Sequence, residues 1–486
     1  MECTRLSGVF LALALWASAS LCAACQQSSR DPLASSSPAD STGNSPLTDP
    51  TESAAPSDPT VAVDAGNGPF YWGGVEPLLV RECVVCHQEG GVGPFALTSL
   101  EQARTWGPLM AAETAARRMP PFTFDNSGVC GEFHNARWLD EEDIQLLADW
   151  LAVGMPEGEP GEVSPAPVLS SLGDAQVLEV ATPSGYMPVA EGRADALLDD
   201  YQCFLVDIPG DEGTYVTGYE VVPGDPRVVH HLLAFVVDPG LQAAPPFSNQ
   251  FFIDTLDNES PDRPGWDCFG GAGDNVLISG VPVAWAPGTG VTIFPEGTGL
   301  RVEPHERLVL QLHYNLANVD DSFEAPPPTV LRLQVKDSVE RVAQSSLDDG
   351  FLSTVYRAGP VARLEAGVAE ASYRWSADLV DGYFPADHGG EDMQVLGVLS
   401  HMHRRGRRMR VEFETADGVR CGSQVSDWDF DWQMMGWLKQ PITLRAGDRV
   451  HATCTWDTRD DLAPVQPGFG TESEMCLLGL YVAPAP

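Results

Sequence analysis

Two textures of hydrophobic patterning divide the chain. Beyond residue 170, short runs alternate apolar and polar positions and are broken by Gly, Pro and Asp: "RLVLQLHYNLA" (307–317), "TVLRLQV" (329–335), "MRVEFET" (409–415) and "CLLGLYV" (476–482). A period of two between turn residues predicts the strands of an all-β sandwich, not a strand–helix alternation. Roughly 310 residues exceed one ordinary sandwich, so two are expected, over 176–338 and 339–486. Upstream the period lengthens. In "DEEDIQLLADWLA" (140–152), Ile144, Leu147, Ala148 and Leu151 share one helical face and Asp140 is placed to cap the N-terminus. Residues 67–157 are therefore expected to form a small all-α domain, joined by a Pro/Gly/Glu-rich linker (158–175) to two all-β, jelly-roll-like sandwich domains.

The first 66 residues carry no such pattern. Behind Arg5, "GVFLALALWASASL" (8–21) is an apolar run of about fourteen residues, too short to span a bilayer comfortably, so 1–24 reads as an export signal. "LCAAC" (21–25) resembles a bacterial lipobox, whose cysteine becomes the lipidated first mature residue. Cys22 stands where Leu is usual, so lipidation and plain cleavage both stay open. Residues 25–66 are rich in Ser, Pro, Thr, Asp and Ala and too poor in apolar residues to fold, which suits a flexible tether. The expected location is the periplasm or outer surface of a bacterium, with membrane attachment only through a lipid anchor.

Charge narrows the partners. Among 486 residues, 28 basic and 69 acidic side chains give a net charge of −41. Such a surface repels nucleic acid and anionic membranes. It keeps the protein soluble and leaves room for docking to a basic redox partner.

Eleven cysteines are present, and Cys3, Cys22 and Cys25 fall in the leader. "RECVVCHQEGG" (81–91) places Cys83, Cys86 and His87 as C-x-x-C-H, two thiols for the vinyl groups of a haem and a histidine for its iron. The alternative is a redox or zinc pair. Zinc would want a second ligand pair, and only Cys130 and His134 are in reach. Met119 in "RRMPPF" (117–122) is the expected opposite axial ligand; Met110 reads as core and Met155 as the fallback. The segment from "GGVGPFALTSLEQA" to "RMPPF" resembles the small cytochrome c domains of exported bacterial proteins. The remaining six cysteines, Cys130, Cys203, Cys268, Cys421, Cys454 and Cys476, default to disulfides in an oxidising compartment.

The strand region carries histidine clusters. His401 and His403, two apart in "LGVLSHMHRRG", would share a strand face and could bind one metal. In "LVLQLHYN", Leu308, Leu310 and Leu312 form one face, which sets His313 opposite the core with Gln311. His230 and His231 are adjacent, so they could share a metal only through a twist, a bulge or a strand end. His305, His388 and His451 are isolated. Each signal alone fits a satisfied polar residue.

Their order does not. H-H, then Q-x-H-Y, then H-x-H, then "SEMC" (473–476) resembles the copper type II monooxygenases, the family of the peptidylglycine and dopamine hydroxylases, over about 176–486. The resemblance implies two coppers on two nine-stranded sandwiches facing across an open cleft. His230, His231 and His313 would hold the electron-transferring copper. His401, His403 and Met475 would hold the copper at which O2 and substrate react. Tyr201 and Gln311 would stand beside the first. A thioether favours Cu(I) and would gain zinc little. The family also implies a Cys454–Cys476 disulfide. Cys203 is expected to pair with Cys268, and Cys130 and Cys421 are either free thiols or a pair bridging two domains.

Departures bear on the substrate. Leu399 stands where the peptide hydroxylases have a carboxylate-binding arginine, and Leu477 and Gly479 replace polar residues. A glycine-extended peptide is thus not expected, and the cleft beside Met475 should be more apolar. The run "RRGRR" (404–408) reads as an anion site or, more simply, a solvated loop. The chain is then expected to be an exported monooxygenase that hydroxylates a C–H bond of a small organic substrate. A periplasmic donor would supply electrons through the fused haem, where animal members use ascorbate. The alternatives are a non-catalytic haem/copper electron-transfer or copper-binding protein, or a sugar- or partner-binding sandwich with a haem appendage.

Overall fold

A computed structural model describes residues 69–486 except 90, 92, 166–170, 174–175, 191–197, 209–212, 243, 270, 288, 318, 321, 379–391, 431 and 471. The expected leader and tether lie outside the described residues, as does His388.

The first described elements are the short helical turns Tyr71–Val75, Glu76–Leu78 and Leu79–Cys83, followed by helices Leu100–Ala115 and Glu141–Ala152. Ser99 starts the longer helix by accepting the Gln102 N–H (3.3 Å). Ala103, Gly107, Met110 and Thr114 fall at helical spacing and are its buried face. The second helix differs in two details from the sequence expectation. Asp140 occupies the N-cap position in extended conformation, but its side chain makes no cap bond; Glu141, Glu142 and Asp143 supply negative charge to the first turn instead. The buried face is Leu147 and Trp150, not the stripe through Ala148 and Leu151. Trp150, 0% exposed, donates its indole N–H to Pro156 O (3.0 Å), and this larger buried surface sets the helix rotation.

Between these helices the chain leaves the helical layer as a strap. Phe122, Phe124 and Phe133 enter the core built by the C-terminal strands. Backbone bonds tie the strap down: Asp125 N–H to Gln424 O (2.8 Å), His134 N–H to Trp437 O (2.8 Å) and Lys439 N–H to Glu132 O (2.9 Å). A Cys130–Cys421 disulfide closes the connection across 291 residues of sequence, the bridging option for this pair. Cys203–Cys268 and Cys454–Cys476 are the other disulfides, and three such bonds suit an oxidising compartment.

The strands form three sheets. A five-stranded sheet runs Trp266–Asp267, Asp199–Val206, Arg307–Asn315, Val229–Val237, Gly280–Trp285. A four-stranded sheet runs Ala371–Asp378, Arg449–Trp456, Gly406–Thr415, Gly418–Val425. Both pack on one long sheet: Gln176–Ala181, Val330–Lys336, Thr214–Val222, Thr298–Val302, Arg341–Asp349, Leu477–Pro484, Met393–His401, Met435–Leu444.

That long sheet is shared by the two halves of the strand region. The join is a short parallel pairing of Arg341, Val342 and Ala343 with Thr298, Gly299 and Leu300. Consequently Leu396, Trp437, Tyr481 and Ala483 from the C-terminal half pack in the same core as Val216, Leu300 and Leu331. The Thr298 and Tyr481 hydroxyls bond across the join at 2.9 Å. The halves are fastened edge to edge, which fixes how their histidine-bearing strands face each other. No described helix is long and apolar enough to cross a membrane.

Phe133 is buried at 1% exposure and stacks on Phe124 (4.8 Å, 27°). Phe133→Ala is expected to cost about 3–5 kcal/mol. Urea unfolding followed by near-ultraviolet circular dichroism should show the loss in the sandwich transition, although the residue lies between the two helices.

Candidate metal centre

The strands Val229–Val237 and Arg307–Asn315 pair antiparallel with His231 opposite His313. Their register shifts between Val229 and His231, a bulge at His230 that turns two sequence neighbours toward one point. His230, His231 and His313 bring one ring nitrogen each within 4.8 Å of one another. The Nδ1 of His231 lies 3.5 Å from that of His230 and 3.2 Å from that of His313.

The tautomer follows from the other ring nitrogen. His313 Nε2 meets Asp199 Oδ1 at 2.9 Å with both residues buried, and Asp199 also accepts the Asn315 side-chain N–H (2.7 Å). Nε2 therefore carries the proton and Nδ1 offers a lone pair. Burial pulls the His313 pKa down to about 4 and that of His231 well below the usual range, so both rings are neutral. Tyr201 stacks flat on His313 (4.1 Å, 7°). Gln311 donates to the carbonyls of Cys268 (3.0 Å) and Gly271 (2.5 Å), holding the loop beyond the Cys203–Cys268 disulfide. The Leu face of this strand lies in the core, but the histidine face is equally buried, because Val309 packs in a second small core with Cys203, Phe235 and Trp266, and Tyr201 covers His313.

The H-x-H pair is built differently from the expected strand face. The strand Met393–His401 ends at His401, and His403 lies past it. Met402, fully buried, anchors the turn. Gln433 gives its amide N–H to Phe430 O (2.7 Å), so its Oε1 faces and accepts the Nδ1–H of His401. His403 Nδ1 lies 3.0 Å from Ser473 O, which accepts its proton. Both rings thereby keep Nε2 as a free lone pair. Their centroids are 5.1 Å apart; burial lowers the His401 pKa and takes that of His403 down to about 3.

Glu474 holds this turn, and the sequence reading missed it. At 0% exposure it accepts the backbone N–H of His403 (2.9 Å) and Arg405 (2.8 Å) and the Trp456 indole N–H (2.8 Å). Burial pushes its pKa up to about 7. Met475, next in sequence, is 5% exposed, and Cys476 is pinned by its disulfide to Cys454 and by Asp349, which accepts its N–H (2.8 Å). Asp199 was missed as well. Both signals were adjacency: an acid beside a candidate ligand or beside Tyr201.

One cavity of about 370 Å³ is lined by five of the six candidate ligands, all but His313. His230, His231, Tyr201, His401, His403 and Met475 all face it. Phe430 stands between the triplets, stacked on His230 (5.6 Å, 25°) and edge-on to His403 (6.2 Å, 87°). The basic run beside it is neutralised: Arg405 pairs with Asp461 (2.7 Å), Arg408 with Glu370 (2.9 Å), Arg407 with Asp457 (3.6 Å) and Arg404 with Glu472 (3.8 Å). Each arginine of the run thus has a carboxylate partner.

At the C-x-x-C-H motif, Cys83 and Cys86 are half-buried free thiols that do not pair with each other. Burial pushes the Cys83 thiol up to about 12. His87 Nδ1 lies 3.0 Å from Phe95 O, leaving Nε2 as the lone pair, and its ring rests on Phe95, which stacks on Trp106 (4.0 Å). Cys130 is in a disulfide, so the second zinc pair, Cys130 with His134, is broken up. Met119 is half-buried where the helix meets the strap; Met110 and Met155 pack in the helical core. A crevice of about 710 Å³ runs from Cys86, His134 and Arg137 to Trp432, Met434 and Trp437.

Comparison with known proteins agrees with this donor chemistry. Residues 383–484 match the family described as copper type II ascorbate-dependent monooxygenase, C-terminal domain. The chain is similar to the human DBH-like monooxygenase protein 1, 24% identical with 58% of this chain and 44% of that protein covered. It is similar to the tyramine beta-hydroxylase of Caenorhabditis briggsae (24%; 59% and 46%) and the human dopamine beta-hydroxylase (24%; 66% and 48%). The chain thus spans less than half the length of these relatives. The family match supports the copper type II ascorbate-dependent monooxygenase family for residues 383–484. The residues fit copper: imidazoles, of which His313, His401 and His403 have the second nitrogen hydrogen-bonded, and a thioether.

Asp199→Ala removes the acceptor that fixes the His313 tautomer. Copper affinity at the His230/His231/His313 triplet is expected to fall roughly 10–100-fold. Competition with a chromophoric chelator should resolve one weakened site and one unchanged site.

Proposed function

We propose that this chain is an exported copper-dependent monooxygenase that hydroxylates a C–H bond of an organic substrate with O2. The overall change consumes O2, two electrons and two protons and yields an alcohol and water. The carrying observation is that ligands from both triplets, His230 and His231 with His401, His403 and Met475, line a single largely apolar cavity, while His313, His401 and His403 are each bonded through the second ring nitrogen.

His230, His231 and His313 hold one copper, and His401, His403 and Met475 hold the other. Copper bound by these residues supplies one-electron redox chemistry and O2 activation. The protein's own groups do the rest. Asp199 and Gln433 orient their histidines through the second ring nitrogen, Glu474 sets the main-chain turn that presents His403, and the apolar walls exclude bulk water. Phe430 lies against one histidine of each triplet, stacked on His230 and edge-on to His403.

The helical segment 67–157 serves as a c-type cytochrome, with haem attached through Cys83 and Cys86 and ligated by His87 and Met119. Free thiols beside a histidine with a bonded Nδ1 support that assignment. Haem there supplies a one-electron carrier on the same chain, fed by a periplasmic donor. The strap and the Cys130–Cys421 disulfide support a fixed seat for this module on the C-terminal strands. The leader makes the protein periplasmic or, if Cys25 is lipidated, anchored to the outer membrane or cell surface.

Met475→Ala is expected to abolish substrate-dependent O2 uptake while leaving the α-band of the reduced haem unchanged. Oxygen-electrode and absorption measurements on one preparation check both; surviving O2 uptake would remove Met475 from the reacting site.

A further inference from the structure

The cavity between the triplets is unusual for what it lacks. Its walls include Leu233, Phe235, Ile278, Trp285, Leu399 and Leu477. Ile278 (43% exposed) and Tyr356 (47% exposed) stand at its rim, so an apolar surface leads from solvent inward. Two amide side chains on the wall are already engaged by the protein. Gln433 bridges Phe430 and His401, and Gln311 bridges the carbonyls of Cys268 and Gly271.

Apart from the histidines, Asp349 is the one carboxylate-bearing side chain among the described lining residues that could meet an ammonium. It is turned to another task. Its Oδ1 accepts the N–H of Phe351 (2.8 Å) and Leu352 (2.7 Å), and its Oδ2 accepts the N–H of Cys476 (2.8 Å). Three main-chain donors stabilise its charge and hold the Leu352–Val355 turn against the Met475 segment. No lysine or arginine lines the cavity among the described residues. In the turn that follows His403, Arg404 and Arg405 are paired with Glu472 (3.8 Å) and Asp461 (2.7 Å). A charged substrate group would leave water without a counter-charge in the site, which costs affinity steeply.

We infer that the substrate of this site is a small, uncharged, predominantly apolar molecule, positioned beside His401, His403 and Met475 by shape and not by an ion pair. At about 370 Å³ the cavity lies at the small end of ligand pockets, which suits a single ring bearing a short alkyl chain. This rests on the oxygenase reading for the fate of the molecule, but the selectivity belongs to the cavity itself.

The test is calorimetric binding to the full copper-loaded chain of three probes of similar size: propylbenzene, phenethylamine and 3-phenylpropanoate. Propylbenzene is expected to bind at least roughly tenfold more tightly than either ion. Leu399→Arg is expected to raise 3-phenylpropanoate affinity by about tenfold or more while weakening propylbenzene, because it supplies a cation where none exists. Equal or tighter binding of either ion by the unaltered protein, or binding of none of the three, overturns the inference. Copper content, measured on the same sample, reports separately on the oxygenase reading, since a cavity can select neutral molecules with or without metal.

Discussion

The structure depends on a mutual problem posed by imidazole rings. His230, His231 and His313 direct nitrogen atoms at one another beside the cavity, and the Asp199 bond ensures that His313 has no proton to offer there. Lone pairs converging on one point repel, and burial disfavours the charged forms of His231 and His313 that would relieve it. A cation resolves the conflict. The H-x-H pair repeats the device, with Gln433 and Ser473 taking the Nδ1 protons. The shared sheet, the bulge and the buried carboxylates are the means by which these unfavourable arrangements are imposed.

Imposing them requires fixed halves. The His230/His231/His313 triplet on one half would lose its relation to the His401/His403/Met475 triplet on the other if the halves could hinge freely. The parallel join of Thr298–Val302 with Arg341–Asp349 gives a continuous sheet, and Phe430 touches a histidine of each half. The strap from the helical segment then grips the neighbouring Trp432–Lys439 stretch: Thr123 donates to Trp432 O (2.9 Å) and Asn135 to Met435 O (2.7 Å). The chain that brings Gln433 to His401 is therefore the chain on which the helical segment is seated.

Much of this was legible in the residues, and the losses have physical reasons. Period-two runs marked the strands because one face of each meets a core, and the C-x-x-C-H and histidine spacings marked the candidate ligands. The His230/His231 problem had been narrowed to a twist, bulge or strand end; only the pairing with Arg307–Asn315 selected the bulge. Asp199 and Glu474 looked like ordinary acids, since burial and donors brought from distant segments give them their roles. The strap was invisible because Phe122, Phe124 and Phe133 have no periodicity and their core belongs to strands some 300 residues later, a distance that local pattern does not reach. The shared sheet rests on three residue pairs, a signal too short to leave a trace in sequence.

Metal analysis of the purified exported chain, joined to the spin-resonance spectrum of its oxidised form, tests the central claim most directly. The account predicts two coppers per chain with nitrogen-ligated cupric signals, falling to one when His313 is replaced by Ala. A preparation coloured by porphyrin alone, with less than one copper per chain and no cupric signal, would contradict it.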